Sequence, residues 1–238
     1  MIIAEVHAPA LARPAAPRPS NVPVSLEQPS AMQQFYPNSC GAVSLLCVAK
    51  ELGVKSLPAY EGSQSQRFGD NSLKLDRRCE MDIYRITSGS CTQRQMQHDM
   101  TKAGYSMPDG IVTAGRMLGL HMALEEDPGC FSKTLNWLYP DTRQKMSLMG
   151  CAVETGSRQI ENNQAKIEAL TVSMLGVPVG LHWVVQRQDG SYMNPDTGKN
   201  YTNFDALNAG AKREVNCGLG YYKTGICVIV TGPESSAR

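Results

Sequence analysis

The segment around Cys40 is the stretch of this chain best suited to covalent chemistry. An apolar run beginning at Cys40 predicts a helix to about Leu52, with Asn38 and Ser39 as N-cap residues and Gly53 as its stop. The start of a helix carries partial positive charge and free N–H groups, which favour the thiolate form of a cysteine. Because the thiolate is the form that attacks a carbonyl carbon, the sequence predicts Cys40 as a nucleophile.

Gln34 precedes Cys40 by six residues and is the predicted oxyanion residue. Its side-chain N–H would donate to the developing oxyanion beside the backbone N–H of Cys40. A lone cysteine at this position would more often be a small buried hydrophobe, and Gln34 together with the cap residues favours the nucleophile. Cys47 shares the helix but lies two turns inside it, where no free amides remain, so we expect it to belong to the core.

His182 is the predicted base. It lies in a buried strand over residues 180–187, which is followed by a turn at 188–190 and a second strand over 191–194. The chain has three other histidines. They lie in a Pro/Ala-rich start, in a polar helical stretch expected to face solvent, and at the beginning of a short strand over residues 120–124: His7, His98 and His121.

Two residues of the predicted hairpin could orient the imidazole. A three-residue turn would pair Arg187 with Ser191, which places Asp196 opposite His182 and Asn194 diagonally on the same face. A two-residue turn would shift the register and turn both side chains away. In the three-residue register, either Asn194 or Asp196 could accept the imidazole N–H and leave the other ring nitrogen facing the thiol.

These motifs, in this order, resemble papain-like cysteine peptidases, in particular the small bacterial branch related to double-glycine leader peptidases that process bacteriocins. Gln34, Cys40 and His182 match that branch by position. Where the branch has Asp-Pro, this chain has Asn194 followed by proline, with Asp196 just beyond. The resemblance implies an α+β, papain-like fold, with a helical left subdomain carrying the nucleophile and an antiparallel β-sheet right subdomain. It implies no metal or organic cofactor.

Three function classes follow from this reading. The first is a peptidase that acts on peptide amide bonds of a protein or peptide substrate. The second uses the same Cys-His-Asn/Asp triad for another acyl transfer, as in glutamine deamidases or transglutaminase-type bacterial effectors, whose target would be a host protein. The third is a non-catalytic binding module that has kept the fold.

Composition and charge limit which kinds of partner and which cellular compartment we expect for this protein. With a net charge of +1 and a pI near 7.5, the chain has no basic footprint for nucleic acid. The longest clear apolar run, residues 226–230, is far too short to span a membrane, and no signal peptide is visible. We therefore expect the bacterial cytoplasm, or export into a host cell without a cleaved signal. The eight cysteines lack framework or Cys-x-x-Cys spacing, which predicts free thiols and no zinc site.

The sequence predicts one catalytic domain over residues 31–238, preceded by a Pro/Ala-rich disordered tail over 1–30. The tail has three readings: a floppy terminus, an uncleaved export segment, or a pro-segment lying across the site. Within the domain, residues 56–75 are predicted as a long loop and 80–86 as a helix or strand. Further helices are predicted over 93–103, 108–117, 131–138 and 159–175, and a last strand over 225–231.

Overall fold

The structure, a computed structural model, describes residues 29–90, 99–127, 137–151 and 153–233. The predicted tail, apart from residues 29 and 30, lies outside the described residues. So do His7, His98, the start of the helix predicted over 93–103 and most of the helix predicted over 131–138. The described chain is α+β, as predicted, with most helices in its first half and an antiparallel sheet in its second.

Some helices form where the apolar pattern predicts them, whereas those over Gln64–Phe68, Thr142–Leu148 and Phe204–Glu214 lie where the sequence predicts none. Their bounds are α1 Cys40–Glu51, α2 Gln64–Phe68, α3 Arg77–Thr87, α4 Pro108–Met117, α5 Thr142–Leu148 and α6 Phe204–Glu214, with a 3-10 turn at Met100–Lys102. The predicted helices at residues 40 and 108 are confirmed, and the ambiguous segment over 80–86 is helical. The predicted loop over 56–75 is irregular except for the short α2 and an isolated bridge between Ser56 and Ser72.

In the described residues, seven strands form one sheet in the order β2-β1-β7-β3-β4-β5-β6. Their bounds are β1 His121–Glu126, β2 Val153–Thr155, β3 Gln164–Met174, β4 Val177–Arg187, β5 Tyr192–Asn194, β6 Lys199–Tyr201 and β7 Leu219–Thr231. All neighbours pair antiparallel except β1 with β2. The predicted strands near residues 120, 180, 191 and 225 are confirmed, and the last one begins six residues earlier than predicted.

One predicted helix is wrong. Residues 159–175 contain many good helix formers, yet Gln164–Met174 is the central strand β3. Ala165, Ile167 and Ala169 are buried in the main core with the helices, and the residues between them point to the other face of the sheet. This alternation lets β3 pair along its length with β4 on one side and β7 on the other. Pairing with two neighbours outweighs the intrinsic helix propensity of alanine, glutamate and lysine, because tertiary contacts override local propensity.

Helix α1 lies in the middle of the molecule, packed against β4 and β3 on one side and α3 and α4 on the other. Every residue from Cys40 to Ala49 is buried, which explains why this helix is apolar on all sides. No helix within the described ranges is both long and apolar enough to cross a membrane. The cysteines in those ranges are free thiols.

The turn between β4 and β5 has the register that the three-residue loop predicts. The Arg187 N–H donates to the Ser191 carbonyl at 2.9 Å, and Gly190 adopts a left-handed φ of +82°. Val185 then pairs with Met193 along the two strands. This register carries the end of β5 and the turn after it to the face of the sheet on which His182 lies.

Candidate active site

Cys40 is the first residue of α1 and its side chain is buried. Ser39 occupies the N-cap position, but its hydroxyl makes no capping bond; its acceptors are Glu80 at 2.6 Å and the Tyr36 carbonyl at 2.9 Å. The first main-chain bond of the helix runs from the Val43 N–H to the Ser39 carbonyl at 3.0 Å. Among the described residues, none accepts a hydrogen bond from the Cys40 N–H, so this donor can serve a ligand at the sulfur.

His182 lies in the middle of β4, and the Cys40 sulfur is close enough to raise the pKa of its imidazole. Its neighbour Trp183 points to the opposite face of the sheet, into the main core. The Ser44 hydroxyl donates to the Trp183 carbonyl at 3.3 Å, which fastens α1 to β4 close to the histidine. The helix start and the strand centre thus bring the two predicted residues together although they are far apart in the chain.

Asn194 at the end of β5 is the nearest partner of the imidazole. Nε2 of His182 lies 2.8 Å from Oδ1 of Asn194 and 3.5 Å from Oδ2 of Asp196. The backbone N–H of Asp196 donates to the same Asn194 Oδ1 at 2.9 Å. Because that oxygen already accepts from a backbone N–H, the amide orientation is fixed and His182 Nε2 must be the donor. Nδ1 is then the nitrogen left to face Cys40.

Tyr221 on β7 completes this cluster. Its ring stacks on that of His182, with centroids 5.4 Å apart, and its hydroxyl donates to Asp196 Oδ2 at 3.0 Å. The amide nitrogen of Asn194 donates to the same hydroxyl at 3.4 Å. Sequence reasoning missed this residue because the predicted strand began at Gly225. The alternation of buried and outward residues from Leu219 could have extended the strand, but a tyrosine in a strand carries no signal of chemistry.

The surroundings of His182 favour its protonated form. Burial is the largest single influence and lowers the pKa of the imidazole. The Asp196 carboxylate, the Cys40 sulfur and the Asn194 hydrogen bond act in the opposite direction and together raise the pKa to about 9. At neutral pH the ring is therefore an imidazolium, which can pair with a thiolate at Cys40.

Gln34 lies next to the turn that follows β5. Its backbone N–H donates to the Pro195 carbonyl at 2.8 Å. Its side-chain amide donates to the carbonyls of Tyr36 and Pro37 at 3.1 and 3.0 Å, and Oε1 is buried without a hydrogen-bond partner among the described residues. Both amide hydrogens are thus held by the loop before Cys40. The predicted oxyanion role requires this side chain to exchange one of these bonds for the substrate oxygen.

The other candidates differ from the site residues in their surroundings. Burial raises the pKa of the Cys47 thiol to about 12, so this cysteine is a core thiol. His121 is exposed at the start of β1. A polar cavity of about 480 Å³ is lined by Glu125, Lys166, Glu168 and neighbouring residues, and neither Cys40 nor His182 takes part in it.

Two comparisons relate this chain to known proteins. Residues 32–233 match the family described as invasion plasmid antigen J, cysteine protease. The chain is also 48% identical over 201 residues to the cysteine protease IpaJ of Shigella flexneri, a match that covers 84% of this chain and 78% of that protein. The chain therefore belongs to the invasion plasmid antigen J family of cysteine proteases.

Proposed function

We propose that this cysteine protease hydrolyses a peptide bond of a protein substrate with Cys40 as nucleophile, His182 as acid and base, and Asn194 as the residue that orients the ring. The observation that carries the proposal is the bond between His182 Nε2 and Asn194 Oδ1 at 2.8 Å, which leaves Nδ1 for the thiol. Asp196 acts through its charge, because it raises the pKa of His182 without being the nearest acceptor.

Acylation uses the charged pair. The Cys40 thiolate attacks the carbonyl carbon, a C–S bond forms, and the carbonyl electrons move onto the oxygen. The free Cys40 N–H donates to this oxyanion, and Gln34 is the proposed second donor. The imidazolium of His182 then gives its Nδ1 proton to the leaving nitrogen, the C–N bond breaks, and the amine departs.

Deacylation reverses the roles. Neutral Nδ1 of His182 removes a proton from water, and the hydroxide attacks the thioester carbon. The C–S bond breaks, the acid product leaves, and the thiolate–imidazolium pair is restored. Throughout both steps the Asn194 oxygen keeps Nε2 protonated, so a single ring nitrogen exchanges the proton.

We extend the proposal to the substrate and the organisation of the chain. The family description names an invasion plasmid antigen, which supports a host protein as the target and export of the enzyme to reach it. The family match over residues 32–233 supports one catalytic domain from residue 31 onward, preceded by a separate tail over 1–30.

The test is intact-mass analysis of candidate host proteins and of an internally quenched peptide pool after incubation with the enzyme. We expect fragments with the wild type and with Cys47→Ala, but none with Cys40→Ala. The Cys47 variant is the matched control, since it removes a buried thiol from the same helix. A mass gain of about one dalton without fragments would indicate deamidation instead. Equal cleavage by the Cys40 variant would refute the proposed nucleophile.

A further inference from the structure

Glu80 is a buried acid that the proposed reaction does not use. It lies on α3, is fully buried, and has only one of its oxygens hydrogen-bonded among the described residues. Burial raises the pKa of this carboxyl, and the hydrogen bonds that it accepts oppose that shift. Burying a carboxylate costs free energy unless it is well hydrogen-bonded, so its position calls for an explanation.

The bonds of Glu80 all go to the segment that leads into the nucleophile. Oε1 accepts from the backbone N–H groups of Phe35 and Tyr36 at 2.8 and 3.1 Å, and from the Ser39 hydroxyl at 2.6 Å. Residues 35–39, here called the nucleophile loop, are neither helix nor strand and lie between Gln34 and Cys40. A loop of this kind needs outside partners for its backbone N–H groups, and a single carboxylate oxygen supplies two of them.

Arg77, one turn earlier on α3, holds the same loop from its other side. Its guanidinium lies 4.8 Å from the centre of the Phe35 ring, and its Nε donates to the Tyr36 hydroxyl at 3.3 Å. The start of α3 therefore contacts the nucleophile loop through two side chains, those of Arg77 and Glu80.

Glu80 is also a hydrogen-bond partner of Ser39, the N-cap residue of α1. A serine at an N-cap ordinarily accepts from an amide of the first turn. Here the hydroxyl of Ser39 makes no capping bond; it lies 2.6 Å from Oε1 of Glu80, the shorter of its contacts, and 2.9 Å from the Tyr36 carbonyl. Through this contact Glu80 holds the residue that directly precedes Cys40.

We propose that Glu80 is a positioning residue of the peptidase, one that holds the nucleophile loop so that the Cys40 N–H meets the oxyanion. This inference rests on the proposed function. Glu80 does not touch the reacting atoms; it acts through Ser39 and the loop backbone. A displacement of about 1 Å in such a donor can cost on the order of a hundredfold in rate.

Asp82 provides a matched control on the same helix. It is equally buried and also binds backbone and hydroxyl donors, from Gln64 N at 2.6 Å and from Ser65 N and Oγ at 2.8 and 2.7 Å. Those residues belong to α2 and not to the nucleophile loop. Asp82→Ala therefore measures the cost of losing a buried acid of α3 without disturbing the loop.

The experiment compares Glu80→Ala, Glu80→Gln and Asp82→Ala, using the best-cleaved peptide of the quenched pool and, separately, the rate of Cys40 alkylation by iodoacetamide. We expect Glu80→Ala to lower kcat by about ten- to a hundredfold with KM changed less than about threefold. Alkylation should stay within about threefold of wild type, because it needs the thiolate and no oxyanion donor. Glu80→Gln keeps an acceptor oxygen and should recover most of kcat.

Three outcomes would overturn the inference. They are an unchanged kcat in a folded Glu80→Ala, an equal loss in Asp82→Ala, or a parallel loss of alkylation and turnover, which indicates general damage to the fold. If Glu80→Ala is too unstable to assay, Ser39→Ala decides. Ser39→Ala should lower kcat but not alkylation, and a normal kcat in this variant would refute the role. If Cys40→Ala remains active, the proposed function fails, whereas full activity in Glu80→Ala alone refutes only this inference.

Discussion

The contacts of His182 distinguish the roles of its two hairpin neighbours, Asn194 and Asp196. Asn194 accepts the short bond from Nε2, whereas Asp196 lies farther off and supplies charge. We predict that Asn194→Ala lowers kcat by about a hundredfold, because the ring loses the acceptor that fixes its tautomer. Asp196→Asn keeps the side-chain volume and should retain most of kcat while moving the alkaline limb of the pH–rate profile to lower pH.

Kinetics of both variants with one quenched peptide from pH 5 to 10 would test this division. If Asp196→Asn is the variant that loses turnover, and Asn194→Ala does not, the assignment is reversed and the triad is Cys-His-Asp.

His182 also makes folding stability depend on pH. Its pKa is about 9 in the folded protein, above its ordinary value of 6.5, so the folded state binds the proton more tightly than the unfolded state. The stabilisation is fully present below about pH 6.5 and is lost as the pH rises through about 9. Between these values we expect the unfolding free energy to fall by up to about 1.4 kcal/mol per pH unit from this group.

Urea titrations at pH 6, 7, 8 and 9 measure this slope, and His182→Gln serves as the reference because it cannot titrate. The difference between the two proteins should shrink as the pH rises. A constant or growing difference would contradict the raised pKa.

At the scale of elements, the sequence predicted the nucleophile helix and the hairpin because each has a local signal. The cap residues, the apolar run and Gly53 define α1, and the position of Gly190 defines the three-residue turn. Strand β3 lacks such a signal, since its alanines and charged residues suit a helix until the neighbours on both sides are known. Sequence reasoning missed Glu80 and Tyr221 for the same reason, because their roles depend on contacts with residues far away in the chain.

A second element that depends on distant contacts is the turn carrying Asp196. Gly198 in this turn has a left-handed φ of +65°, and a Cβ there would lie 2.6 Å from the backbone nitrogen of Gln33. The side chain of Gln33 in turn donates to the Asp196 carbonyl at 3.0 Å. We predict that Gly198→Ala lowers the unfolding free energy by more than the roughly 1–2 kcal/mol cost of a left-handed residue. It should also lower kcat, because Gln34 and the turn must shift together.

Gly190→Ala is the control for this prediction. Its φ is +82°, yet a Cβ there would meet no atom within 4 Å, so it measures the backbone cost alone. Thermal unfolding and peptide kinetics on both variants give the comparison. Equal losses of stability and unchanged turnover in the two proteins would show that the contact with Gln33 does not matter.

At the scale of the whole molecule, the active site exists only where α1 of the helical half meets β4 of the sheet. Cys40 lies at one end of that contact. At the other end, Arg187 of β4 donates from Nε and from a terminal nitrogen to the Glu51 carboxylate at 2.9 and 2.7 Å. The backbone N–H of Ser30 donates to the same carboxylate at 2.8 Å. Helix α1 thus carries Cys40 at one end and an ion-paired anchor to β4 at the other.

This anchor should contribute to stability without contributing to catalysis. The helix has 12 residues, so Glu51 is about 17 Å from Cys40 along its axis. The side chains of Arg187 and Glu51 are only 10% and 21% exposed, so removing one partner leaves the other charge poorly solvated. We predict that Glu51→Ala lowers the unfolding free energy by about 3 kcal/mol and changes kcat less than about twofold at 25 °C.

A double-mutant cycle with Arg187→Ala, measured by urea unfolding, isolates the pair. The double variant should be less destabilised than the sum of the two single variants, because neither charge is then left alone. A single-variant loss below about 1 kcal/mol would place the pair with ordinary surface ion pairs. A large fall in kcat in folded Glu51→Ala would instead mean that the far end of α1 helps to set the position of Cys40 relative to His182.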